Sequence, residues 1–244
     1  MFNVRRERLI NIINNLNCKT HPNLFGISIT DYLVKFICQV DDISSTIHTS
    51  DILSSTETFK CWYFIKDSDA SDWNIVDVIL QFLHISNSPV VHFVLESDFL
   101  KINIANSKLI LNKYIERENN FCDLIYHEPP EWNKKTAFEV NTPQFFNMLK
   151  MCRCISDVIK IELDINIMYV SSKNNDIHFK THMEINYSGS DVMYINSFIL
   201  YDFIEMSLNN NKTDNIYINF YNGLFFAKYN NYDIYISPLI LPKL

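Results

Sequence analysis

Four stretches of helical period recur along this 244-residue chain, each followed by short β-rich runs, and that order most restricts how it can fold. In RERLINIINNLN, Leu9, Ile12, Ile13 and Leu16 fall at i, i+3, i+4 and i+7, which predicts a helix with one apolar stripe. In SDWNIVDVILQFLHIS, Ile75, Ile79, Phe82 and Leu83 share a face, with Ser71 or Asp72 as the candidate N-cap. NTPQFFNMLKMCRCIS sets Thr142 as a cap before Pro143 at the first helical position, and Phe145, Met148, Leu149 and Cys152 form its stripe. The last, INSFILYDFIEMSLNN, turns Leu200, Phe203 and Ile204 inward behind a cap at Asn196 or Ser197.

Between these segments lie LFGISI, YLVKFICQV, FKCWYFIK, VVHFVLES, FLKINIA and KLILNKYI. After the midpoint come VIKIELD, INIMYVSS, DIHFKTHMEINY, DNIYINFYN, GLFFAKYN and YDIYISPLI. Many alternate apolar and polar residues, as strands of a sheet with one buried face do. The order is helix, strands, helix, strands, and then the same again. An α+β fold is expected, built from one unit at residues 1–114 and a second copy at 136–244. CDLIYHEPPEW, residues 122–132, fits neither period. It sits inside a stretch, 115–135, expected to tether the two copies.

Composition excludes several classes. Apolar residues make up 48% and charged residues 20%, so a large core needs no staples. No apolar run approaches the ~18 residues of a membrane span. MFNVRRERLINIINNLN is amphipathic and is not expected to be a signal peptide. Six scattered cysteines fit reduced, intracellular thiols. The net charge of −7 argues against a whole-surface grip on nucleic acid but leaves room for a local basic patch. Abundant Asn and Ile with three glycines read as the bias of an A+T-rich genome of viral type.

No catalytic constellation stands out. Gly26, Gly189 and Gly223 are too dispersed for a phosphate loop, and neither GxSxG nor HExxH occurs. His178 and His182 lie in a strand-like run, and Cys152 and Cys154 point in different directions from one helix, so no metal is expected. Eighteen Phe and 13 Tyr read as core and strand filling. The chain is therefore expected to be a non-enzyme without a cofactor.

Three stretches resemble the sliding clamps of the proliferating cell nuclear antigen family. FGISITDYLVKFICQVDD (25–42) is similar to the first clamp hairpin. EVNTPQFFNMLKMCRCISDVIKIELDINIMYVSS (139–172) is similar to the start of the second clamp domain. YDIYISPLILPKL (232–244) resembles the last strand and tail. The tether falls where clamps carry their interdomain connecting loop. The resemblance is one of layout over nearly the whole chain, and none of it is a tight motif.

That resemblance implies a processivity factor that holds a DNA polymerase on duplex DNA, with helices lining a hole and touching phosphates without reading sequence. It implies DNA-facing roles for Arg5, Arg6, Arg8, Lys150, Arg153 and Lys212. The outward residues of the second helix (Asn74, Asp77, Gln81) and of the fourth (Tyr201, Asp202, Glu205) depart from the lysines usual in clamps. A client-peptide pocket is implied under the connecting loop, covered by Leu124, Ile125 and Tyr126 and walled by Val40, Tyr235, Ile236 and Pro238. Self-assembly through sheet edges at 101–110 and 176–185 is implied, as a trimer if the ring closes, in the host nucleus or a cytoplasmic viral replication site. A clamp-fold scaffold in late transcription or checkpoint signalling, without encircled DNA, is the competing reading, and an unrelated α+β enzyme is a third.

Overall fold

A computed structural model describes residues 1–16, 24–30, 33–40, 44–51, 54–55, 59–66, 74–112, 137–210, 215–221 and 224–239. The chain divides into two compact units, Met1–Asp41 with Ser45–Phe121, and Asp42–Ser44 with Cys122–Leu244. The tether expected at 115–135 lies outside the described residues.

The first unit runs β1 (Phe2–Arg5), α1 (Arg6–Leu16), β2 (Leu24–Thr30), β3 (Leu33–Val40), β4 (Ser44–Asp51), β5 (Ser54–Ser55), β6 (Phe59–Lys66), α2 (Ile75–His84), β7 (Val90–Leu95), β8 (Phe99–Ile104) and β9 (Ser107–Asn112). The second runs β10 (Phe138–Asn141), α3 (Thr142–Arg153), β11 (Val158–Asp164), β12 (Ile167–Lys173), β13 (His178–Glu184), β14 (Asp191–Asn196), α4 (Ser197–Asn210), β15 (Asn215–Tyr221), β16 (Leu224–Tyr229) and β17 (Tyr232–Ile236). Within each unit a strand, a helix and a three-strand meander occur twice, so the repetition goes one level deeper than the two copies read from sequence.

The leading strand of each copy joins the other copy's meander. β1 pairs with β7, β6 with β2, β10 with β15 and β14 with β11, all antiparallel. The resulting orders are β5-β1-β7-β8-β9 and β4-β3-β2-β6 in the first unit. In the second they are β13-β12-β11-β14 and β10-β15-β16-β17.

The expected helical stripes are the buried ones. Leu9, Ile12, Ile13 and Leu16 of α1 are at most 2% exposed. Phe145, Met148, Leu149 and Cys152 repeat the same positions in α3, at a constant offset along the chain. The pairs Ile75 with Ile199, Val76 with Leu200, Ile79 with Phe203 and Phe82 with Met206 relate α2 to α4 in the same way, and all are buried. Phenylalanines fill the first unit's core, where Phe2 stacks on Phe93 at 4.6 Å and Phe36 meets Phe93 at 6.3 Å.

Two helix starts differ from expectation. Asn74, not Ser71 or Asp72, caps α2, its Oδ1 accepting from the Val76 amide at 2.8 Å. Asn141, not Thr142, caps α3 through the Gln144 amide at 3.0 Å, while Thr142 is fully buried as the first helical residue. In each case the side chain nearest the first unpaired amides takes the cap, and Asn is as good a cap as Ser or Asp. Asn196 caps α4 as expected, accepting from Phe198 and Ile199 at 3.0 and 3.2 Å.

Tight hairpins join the meanders, and Ala105, Asn166 and Asn230 adopt positive φ of 49°, 60° and 51° there. Asn tolerates this region, but Ala carries a Cβ clash. Ala105→Gly is expected to stabilise the protein by about 1 kcal/mol, read as a rise in the urea midpoint at unchanged slope.

Candidate functional site

The exposed cations expected on the helices divide into two groups. Arg5, Arg8 and Lys150 are exposed, and Asn11 and Asn147 extend the same polar faces. Arg6 instead turns to the end of α2, donating to the carbonyls of Leu83 at 3.0 Å and Ser86 at 2.7 Å. A guanidinium there satisfies carbonyls that the helix leaves unpaired and complements the negative end of its dipole. Lys212 lies outside the described residues.

Arg153 is also committed to protein contacts. Its guanidinium lies 4.6 Å from the Phe198 ring centroid and 4.5 Å from that of Tyr201. Asp202 Oδ1 is 3.6 Å away. The arginine thus braces α3 against α4, beside a Phe146–Tyr201 ring contact at 4.9 Å. This corrects the expected outward face of the fourth helix: Tyr201 and Asp202 are 9% and 8% exposed. The reason lies in α4 itself, which is apolar nearly all round and so is buried on more than one side. Glu205 is half-buried and accepts from the Tyr201 hydroxyl at 3.3 Å. On α2, Asp77 is half-buried and Gln81 exposed, as expected.

Concavities open among the described residues of the second unit. One of about 280 Å³ lies beside Pro238, lined by Val192, Met193, Tyr194, Phe220 and Leu239 among others. The tail is held there by the Leu239 amide, which donates to the Tyr194 carbonyl at 2.7 Å. Among the described residues, Pro238 is the expected pocket residue that lines it. Tyr235 and Ile236 are buried within β17, and burial pushes the Tyr235 hydroxyl's pKa well up. Leu124, Ile125, Tyr126 and the side chain of Val40 lie outside the described residues. Sequence reading missed Tyr194 and Phe220, which no motif joins to Pro238; only the fold brings β14 and β15 to the tail. The other concavity, about 970 Å³, is lined by Phe138, Glu139, Asn166, Glu184, Tyr217 and Lys228 among others. The Tyr217 hydroxyl bonds to Glu139, which raises its pKa.

Thiol and metal chemistry stay in the background. Burial raises the Cys152 thiol to about 12, while Cys154 is exposed. Among the described residues, no cluster of three or more His, Cys, Asp or Glu side chains is placed to hold a metal ion. No helix there is long and apolar enough to cross a membrane.

No protein-family profile and no curated protein sequence matches the chain. Solved structures do. The β subunit of DNA polymerase III from Thermotoga maritima superposes over 99% of this chain with a TM-score of 0.76 at 15% identity. The Helicobacter pylori β clamp does so over 99% at 0.75 and 12% identity, and the same clamp bound to a DNA ligase peptide at 0.72. The chain has the sliding-clamp fold. It spans 65% and 64% of the length of the first two proteins. In this clamp fold, the α3–α4 brace supports the helical layer.

Arg153→Ala is expected to destabilise by about 1–2 kcal/mol through the lost ring contacts. Arg153→Lys should recover only part, because an ammonium lacks the planar stack. Thermal unfolding of the two variants checks this.

Proposed function

We propose that the protein is a DNA sliding clamp that keeps a replicative polymerase on duplex DNA and recruits other replication proteins through the pocket beside Pro238. The observation that carries this reading is the clamp fold over essentially the whole chain. The two clamp-like domains are read as residues 1–114 and 136–244, joined by a connecting loop at 115–135. Copies of the chain assemble into a ring, a trimer when closed, in a viral replication setting within the host cell. The protein acts without catalysis.

Among the described residues expected to face DNA, Arg8 and Lys150 on the helices and Arg5 at the end of β1 are exposed to phosphates, so the grip on DNA is weak and sensitive to salt. Arg8→Glu combined with Lys150→Glu should lower affinity for a random-sequence duplex by about tenfold at low salt, read by fluorescence anisotropy. Unaltered affinity would refute DNA contact through these helices.

A second reading keeps the fold and drops the encircled DNA, leaving a scaffold for late transcription or checkpoint signalling. The commitment of Arg6 and Arg153 to protein contacts favours it. It predicts no duplex binding by the unsubstituted protein.

The pocket has its own test. The DNA ligase peptide held by the H. pylori clamp serves as the probe. Binding is expected, and Val192→Glu should abolish it without lowering the melting temperature, because Val192 is 48% exposed. Peptide affinity unchanged by that substitution would rule the pocket out.

A further inference from the structure

The internal repeat of the second unit places two strand edges in equivalent positions. β10 and β14 are its leading strands, and each ends at the asparagine that caps the next helix, Asn141 and Asn196. Tyr194 stands two residues before its cap and opposite the third residue of β11. Its carbonyl points away from β11 and accepts from the Leu239 amide at 2.7 Å. Glu139 stands two residues before the other cap and opposite the third residue of β15. Antiparallel ladders alternate, so in this equivalent place Glu139 also turns its amide and carbonyl to the open edge.

The two edges differ in what covers them. On β14 the chain's own tail lies against the edge. β10 ends its sheet, and no backbone group among the described residues bonds to its outer side. That side opens into the concavity of about 970 Å³, to which Ala137, Phe138 and Glu139 contribute. Its opposite wall is held in place by Asn166. The Asn166 amide donates to the Tyr187 carbonyl at 2.8 Å, and its carbonyl accepts from the Ile185 amide at 2.9 Å. The rings of Phe138 and Tyr187 meet at 5.3 Å and tie this wall to β10.

Charge says what the concavity accepts. A row crosses the sheet, with Glu139 opposite Tyr217, Tyr217 opposite Lys228, and Lys228 opposite Asp233. Asp233 holds the Lys228 ammonium at 3.1 Å, so that cation is already matched. Glu139 and, on the opposite wall, Glu184 are exposed, and neither forms an ion pair among the described residues. The concavity is therefore acidic and complements a basic occupant. An open strand edge beside it favours an extended backbone, whose main-chain bonds give affinity while alternate side chains give specificity. A cation directly across from Glu139 would also gain a favourable cross-strand pair.

We propose that this concavity is a second docking site, taking an extended segment of a partner protein that carries Lys or Arg. The segment adds to β10 and donates an amide to the Glu139 carbonyl, as Leu239 does to Tyr194. Its basic side chain lies between Glu139 and Glu184. The site shares no lining residue with the pocket beside Pro238, and neither use depends on the other.

A short labelled peptide of alternating valine and lysine is the probe, read by fluorescence anisotropy. Saturable binding is expected. Glu139→Gln and Glu184→Gln should each weaken it about fivefold. Asp98→Asn removes an exposed acid of the first unit and should leave it unchanged. Methylating the peptide's backbone nitrogens should weaken it at least as much as either glutamate variant, because strand addition uses those donors. Both glutamates are exposed and glutamine can still accept from Tyr217, so melting temperatures should hold. No binding by the unsubstituted protein, an equal loss in Asp98→Asn, or full binding of the methylated peptide overturns the proposal. Affinity for the DNA ligase peptide should be the same in both glutamate variants as in the unsubstituted protein. A parallel loss there would merge the two sites and overturn a second one, whereas failure of the ligase peptide alone counts only against the pocket beside Pro238.

Discussion

The exchange of leading strands is the constraint on which each unit depends. β10 lies in the sheet of the meander that follows α4, and β14 lies in the sheet of the meander that follows α3. Neither copy can therefore complete its sheet alone. The helices follow from this arrangement. Each leaves its strand directly, β10 into α3 and β14 into α4, so a helix must cross from one sheet to the other. Their stripes then meet the inward faces of the strands, and the buried rows Phe145, Leu149 and Phe203, Ile204 fill the space between. Burial of such side chains at ~2 kcal/mol each is the main favourable term in a fold of this kind.

Electrostatics is distributed by the same layout. The outer face of β11–β13 carries Lys160 at 2.8 Å and Lys180 at 3.7 Å from one Glu162 oxygen. The hydrogen bond from Lys160 holds the Glu162 carboxyl below its ordinary value. Its contribution is present above the unfolded carboxylate pKa and is lost as pH falls through the lowered folded value. That contribution is small, because the group is solvated. On the helical side, Arg6 and Arg153 serve packing and capping, and Arg5, Arg8 and Lys150 remain at the surface.

Much of the architecture was legible because periodicity reports burial directly. The four stripes read from spacing are buried, with Leu9 to Leu16 matching residue for residue. The edge expected at 176–185 is β13, and the stretch 101–110 spans β8 and the start of the true edge, β9. The further doubling within each unit was less legible. The constant offsets of Leu9 to Phe145 and of Phe82 to Met206 relate one unit to the other instead, and they preserve apolar character while the residues themselves change.

By itself the sequence determined where the four helices and most of the strands form, which side of each helix is apolar, and that the pattern runs twice, but it did not reveal the strands β1, β4, β5, β10 and β14. Those properties are local, set by side-chain size and spacing over a few residues. Only the tertiary structure decided which charges are free. Arg6 reads like Arg5, and Arg153 like Lys150, until α2 supplies carbonyls to the first and α4 supplies two rings and a carboxylate to the second. The same holds for the pocket at Pro238, whose Tyr194 and Phe220 walls are distant in the chain. Partners so far apart meet only after the strands have exchanged, and no local spacing encodes that meeting.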